Sequence, residues 1–173
     1  MNQPNIIVMG VSGCGKTTVG QLLAQQLGRP FYDGDDFHSA ANVAKMAAGH
    51  PLTDADRHDW LATLATNLGQ WEAAGGAVLA CSALKEAYRQ TLQAGETLPL
   101  TWVFLDGSHE LLETRMEGRQ DHYMKASMLD SQLATLEKPT YGLRIELTND
   151  ETPAQVVARI MVQLPAATGS ATL

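Results

Sequence analysis

Residues Gly10-Val11-Ser12-Gly13-Cys14-Gly15-Lys16-Thr17 satisfy the pattern G-x-x-x-x-G-K-[ST] at every fixed position, which points to a loop that binds a nucleoside triphosphate. Glycines at these spacings let the backbone curl so that successive N–H groups face one concavity, and a following helix N-terminus adds positive potential. In such a loop Lys16 reaches the β- and γ-phosphates, the Thr17 hydroxyl faces Mg²⁺, and the cradle extends to Thr18. A second chemical group follows in Asp33-Gly34-Asp35-Asp36. At the carboxyl end of a strand, one carboxylate can orient the metal while another accepts the proton of a phosphoryl acceptor. Asp33 is expected on the metal side and Asp35 on the acceptor side. Asp36, like Ser39, also reads as a cap for the next helix.

The third predicted strand ends in Ala80-Cys81-Ser82, without the carboxylate that many NTPases keep there as a magnesium ligand. The acidic function is therefore expected on the second strand, as in small-metabolite kinases. Lys85 and Arg89 stand four residues apart on one predicted helix face, and Arg57 stands near the start of an earlier helix. Together they can supply charge for a carboxylate or polyol substrate, the arginines by bidentate bonding. Arg115, Arg119, His122 and Lys125 recur at three- or four-residue spacing. Such a row is either a solvated helix face or a set of lid cations closing over the triphosphate, with Arg119 the leading candidate.

These residues need a scaffold that brings strand ends together. Apolar runs at Ile6–Met9, Pro30–Tyr32, Ala77–Cys81, Thr101–Leu105 and Arg144–Leu147 alternate with helical patterns, which predicts a parallel sheet with helices on both faces. Gly28 should end the first helix, and Gly75-Gly76 a later one. Thr53 to Asp56 resembles a capping box opening a helix with Leu61, Leu64, Leu68 and Trp71 on one face. Thr152-Pro153 should open the last helix. The stretch of about 38–73 is too long for one crossover helix and is expected to form a helical substrate-binding insertion. A polar stretch of about 118–139 is expected to form a mobile lid. One domain over 1–165 is expected, with a disordered tail at 166–173.

With 173 residues, 45% hydrophobic and 18% charged, the chain suits one buried core. A net charge of -7 argues against nucleic acid or an anionic membrane as the main partner. It leaves room for a basic pocket, because salt screens charge over roughly 8 Å. No secretory signal is apparent, and no run approaches the roughly 20 apolar residues of a membrane span. The two cysteines, Cys14 and Cys81, suggest neither a disulfide framework nor a zinc site. A cytoplasmic location is expected. Both cysteines fall at the ligand edge, where a redox role is conceivable but inert packing is the commoner state.

The chain resembles the small bacterial-type gluconokinases of the shikimate-kinase-like branch of P-loop kinases. The likeness is carried by Met9 to Lys16, Asp33-Gly34-Asp35 with Phe37-His38, Asn42 with Lys45-Met46, and Gly49 with Pro51-Leu52. It continues through Asp54, Asp56-Arg57, Trp60-Leu61, Cys81 to Lys85, Tyr88-Arg89, Arg119 with His122, Ser131-Gln132 and Leu136-Glu137 with Pro139. It implies a five-stranded parallel sheet of order 2-3-1-4-5, use of ATP and Mg²⁺, often a homodimer, and phosphoryl transfer to the 6-hydroxyl of D-gluconate. Residue by residue, it implies catalysis by Lys16, Asp35 and Arg119, and nucleotide binding by Gly10 to Thr18 with Arg115 and Arg119. Thr17 and Asp33 would hold the metal. The substrate set would be Asp35, His38, Arg57, Ser82, Lys85, Arg89 and His122. Cys14 and Thr17 stand where serine is frequent, and Asp36 adds a carboxylate. Rival readings are a shikimate-like or nucleoside monophosphate kinase, or a non-catalytic ATP-binding module.

Overall fold

The apolar runs become five strands: β1 (Ile6–Met9), β2 (Phe31–Asp33), β3 (Val78–Ala80), β4 (Thr101–Asp106) and β5 (Leu143–Glu146). They form one sheet of order β2-β3-β1-β4-β5, and every pairing is parallel. The structure is a computed structural model and describes residues 1–118 and 126–165. Ile7, Val8 and Met9 of the central strand are fully buried, as a parallel strand covered on both faces requires. The sheet order and the helices on its faces match the expected fold.

Strand boundaries shift by a residue or so. β2 starts after Pro30, which has no N–H to give the ladder but accepts the Val78 N–H at 3.0 Å. At its other end it runs on to Asp33, whose register partner is Ala80. That extension seats Asp33 on the sheet edge and leaves Asp35 in a 3-10 turn over Gly34–Phe37, a turn the sequence pattern did not disclose.

Among the described residues seven α-helices surround the sheet: α1 (Lys16–Leu27), α2 (Ala40–Ala47), α3 (Asp54–Ala73), α4 (Glu86–Gln93), α5 (His109–Glu117), α6 (Ala126–Thr135) and α7 (Pro153–Gln163). Gly28 ends α1 in the left-handed conformation. The stretch after His38 builds two helices, α2 and α3. Ser39 rather than Asp36 caps α2, accepting the Asn42 N–H at 3.1 Å. Both halves of the Thr53–Asp56 capping box form at α3, and Thr152 with Gln155 makes another at α7. Trp71 packs at the margin of the core and stacks on Tyr32 with ring centres 4.0 Å apart.

At the end of the sheet away from the phosphate loop, buried Asn5 fastens three elements. Its amide donates to Leu68 O at 2.8 Å and to Glu96 Oε1 at 2.5 Å, and its carbonyl accepts the Ala77 N–H at 2.6 Å. Glu96 Oε2 is buried and has no partner among the described residues. Burial pushes the Glu96 carboxyl up to about 7, and nearby Glu72 adds to that rise.

Candidate active site

β1 delivers the chain into the phosphate loop at Gly10, where φ is 147° and a Cβ would stand 2.8 Å from Cys14 Sγ and 2.9 Å from Leu105 O. Only glycine fits such a path. Gly15 is left-handed, and no side chain caps the start of α1. The first amides of that helix are thus available to an anion, with the helix dipole behind them. Lys16 Nζ curls back to donate to Val11 O at 3.2 Å.

Asp33 links this loop to the second strand. Its Oδ2 accepts the Thr17 hydroxyl at 2.7 Å, and its Oδ1 accepts the Asp35 N–H at 3.0 Å. One carboxylate therefore fixes the first turn of α1 and the turn that carries Asp35. Trp60 braces that turn from α3, with Nε1 donating to Gly34 O at 2.7 Å. Asp35 sits at the lip of the site, open to solvent yet crowded by protein. That desolvation pushes its carboxyl above the ordinary range, against a downward pull from Lys16.

Next to this acidic edge lies a cationic one. His38 stacks on Trp60 at 4.3 Å between ring centres and 13° between planes. Burial, then the charge of Arg57, lowers its pKa to about 4, so the ring is neutral near pH 7. Arg57 Nη1 donates to Leu52 O at 2.7 Å and to the Tyr88 hydroxyl at 3.3 Å. Lys85 Nζ lies 3.0 and 3.1 Å from the two Asp54 oxygens. Ser82 follows β3 at the same sheet edge. His38 shares the turn of Asp35, its N–H donating to Asp35 O at 3.3 Å, and Arg57 and Lys85 meet at Tyr88.

Arg89 departs from the expected arrangement. Lys85 is the N-cap of α4, so the two cations do not share a helix face. The Arg89 guanidinium is 2% exposed and turned inward. It donates to Ala83 O at 2.7 Å, Leu84 O at 3.3 Å, Glu137 O at 2.9 Å, Glu86 Oε2 at 3.0 Å and Tyr141 Oη at 2.9 Å. With its donors spent on the protein, Arg89 acts as a structural clasp and is turned away from Lys85. It holds the carbonyl of Ala83, a non-glycine residue in the left-handed region at φ 44°.

On the opposite side of the phosphate loop lies a cavity of about 330 Å³, whose lining includes Gly13, Thr18, Arg115, Asn149, Pro153 and Val156. Arg115 spans it, from Cys14 O at 3.5 Å to Thr148 O at 3.4 Å. Asn149 and the start of α7 were not singled out from the sequence. Their signal was only positional, since they follow the last strand at its ligand-bearing end. Gln132 was also missed as a contact: its Oε1 accepts the Ser12 N–H of the phosphate loop at 2.8 Å, which ties α6 to that loop. Arg119, His122 and Lys125, the remaining lid cations, lie outside the described residues. Cys14 and Cys81 are both buried and unpaired with each other. Burial pushes the Cys81 thiol up to about 12, which leaves no thiolate for redox chemistry at neutral pH.

The family profile described as "Shikimate kinase" matches residues 12–165. The gluconokinase of Gluconobacter oxydans (strain 621H) is 53% identical over 135 residues, 78% of this chain and 75% of that protein. The thermoresistant gluconokinase of Escherichia coli (strain K12) is 39% identical over 134 residues, 77% of this chain and 76% of its own length. Among solved structures, a gluconokinase from Sinorhizobium meliloti 1021 superposes with a TM-score of 0.83 at 39% identity, covering 92% of this chain and 90% of that one. Phosphate loop, acidic strand end and adjacent cations are the parts such a phosphotransferase needs. The chain belongs to the shikimate kinase family and, within it, to the gluconokinases.

Proposed function

We propose that this chain transfers the γ-phosphoryl group of ATP to the 6-hydroxyl of D-gluconate, giving 6-phospho-D-gluconate and ADP. The observation that carries the reading is the Thr17–Asp33–Asp35 bond chain, which ties the phosphate loop to the acidic end of β2. Lys16 and the loop amides of Gly10 to Thr18 neutralise phosphate charge, and Lys16 leaves Val11 O to do so. The cavity beside Arg115 takes the base and ribose. Asp35 accepts the proton of the attacking hydroxyl, and the upward shift of its carboxyl by desolvation makes it a stronger base than an ordinary aspartate. His38 and Ser82 offer neutral hydrogen-bonding groups to the polyol chain, while Arg57 and Lys85 take the carboxylate.

Thr17 and Asp33 fit Mg²⁺: a hydroxyl and a carboxylate already in contact are hard oxygen donors. Magnesium in phosphoryl-transfer sites is held by one or two protein oxygens plus the substrate phosphates. When bound there, the ion neutralises charge on the β- and γ-oxygens. Arg119 and His122 complete the reading as lid groups meeting the transferred phosphoryl group and the acceptor. The reading extends to a cytoplasmic homodimer working on a small molecule without nucleic acid or membrane. Supporting that extension are the net charge of -7 and the family resemblance. Among the described residues no helix is long and apolar enough to cross a membrane. Coupled ADP release against D-gluconate, other sugar acids, shikimate and nucleoside monophosphates tests the reading. Acceptor-dependent turnover on shikimate or a nucleotide, with none on gluconate, refutes it.

A further inference from the structure

The two acceptor-side cations do not find their positions alone. Tyr88 is nearly buried, and its hydroxyl has one proton to give and lone pairs to receive. That proton goes to Asp54. The phenol oxygen can then only accept from Arg57, whose Nη1 also bonds Leu52 O. Asp54 meanwhile receives Lys85 on both oxygens. Both cations lie over the Tyr88 ring, its centre 5.4 Å from the Arg57 guanidinium carbon and 5.7 Å from Lys85 Nζ. The Tyr88 bond, then that of Lys85, hold the Asp54 carboxyl below its usual range, so it is an anion. Burial, then the bond to Asp54, raise the Tyr88 phenol, so it keeps its proton. The relay therefore runs one way, from Arg57 through Tyr88 to Asp54, with Lys85 joining at the far end.

We propose that Asp54 and Tyr88 are positioning residues that select a monocarboxylate acceptor, by aiming Arg57 and Lys85 at a single locus. Among the described residues only Nη1 of Arg57 is engaged, which leaves its Nε and Nη2 edge for a carboxylate fork. The charge balance fits as well. Around the Tyr88 ring, two cations and one internal carboxylate leave one positive charge for a single acceptor carboxylate. Without Asp54, the two like charges around one ring would repel and spread. The inference rests on the gluconate reading for the acceptor's identity, and on the bond pattern for the roles of the two residues.

Steady-state kinetics on the full chain test it, with Tyr88→Phe, Asp54→Asn and Asp54→Glu. Tyr88→Phe keeps the ring and removes only the relay hydroxyl. It is expected to raise KM for gluconate about tenfold, the scale of one hydrogen bond to a charged group, with kcat and the KM for ATP within about twofold. Asp54→Asn, on the exposed rim, is expected to give the same split, and Asp54→Glu to recover part of it. An unchanged gluconate KM in both Tyr88→Phe and Asp54→Asn overturns the proposal. So does a uniform loss of kcat and of affinity for both substrates with a lowered Tm, which marks a merely structural role. A wild-type enzyme that ignores gluconate but turns over another sugar acid, with the same variant pattern, would refute the gluconate reading and keep the relay.

Discussion

Replacing Arg89 by methionine separates a structural clasp from a substrate ligand. The guanidinium is buried and serves three backbone carbonyls, one carboxylate and one phenol. Leu84 O keeps another donor, the Glu137 N–H at 2.8 Å, so Arg89→Met orphans chiefly the carbonyls of Ala83 and Glu137. Each buried acceptor left unsatisfied costs about 1–3 kcal/mol. Methionine refills much of the volume but restores none of these bonds, and Glu86 is exposed enough to turn to water. The expected loss is therefore about 2–5 kcal/mol of unfolding free energy, read by urea denaturation at fixed pH. Release of Ala83 from its left-handed conformation should also loosen the β3–α4 turn that presents Ser82 and Lys85. At temperatures where the variant stays folded, KM for gluconate should change less than the stability does. Stability within about 0.5 kcal/mol of wild type, the range of an unconstrained surface change, together with a large rise in gluconate KM, would refute this account and assign Arg89 to the substrate set.

Lys16→Ala should fold normally and lose about 10²–10³ in kcat, the usual cost of one preorganised electrostatic contact; turnover near wild type in the coupled assay would defeat the phosphate-loop assignment. Asp35→Asn should lower kcat by about 10²–10⁴ with ATP binding little changed, and should abolish the acid limb of the kcat profile. That limb should lie above the ordinary aspartate range, because burial raises the carboxyl, and its survival in Asp35→Asn would assign it to another group. Burial pushes the Glu96 carboxyl up to about 7 in the folded protein, above its ordinary value, so the native state holds the extra proton. Its stabilising contribution is complete below the unfolded value and is lost as pH rises through about 7. Glu96→Gln should therefore flatten the fall of Tm across that window, and an unaltered slope in differential scanning would contradict the assignment.

What the sequence made legible depends on whether a residue's role is local. The phosphate loop, the caps at Thr53 and Thr152, and the five apolar runs are decided within a few neighbours, so pattern alone located them. The one-residue extension of β2 to Asp33 was not visible, because it rests on the pairing of Asp33 with Ala80 of β3. The expected shared face of Lys85 and Arg89 failed for a related reason. An i, i+4 spacing states that two residues can share a helix face, but Lys85 turned out to cap the helix instead of belonging to it. Its partner then faced inward to the carbonyls of a strained turn and of Glu137, 48 residues away. Gln132 entered only within the resemblance and Asn149 fits no motif; neither carries charge, so only the fold could bring one to Ser12 and the other to the cavity beside Arg115. Tyr88 illustrates the limit most clearly. Its type suggests core packing, its burial agrees, and its role in the acceptor site lies entirely in the direction of one proton. That direction is fixed by Asp54, 34 residues earlier in the chain. Residues that supply charge can be read from composition and spacing. Those that aim the charge are defined by the bonds they accept, and these exist only once the sheet has drawn α3 and α4 together.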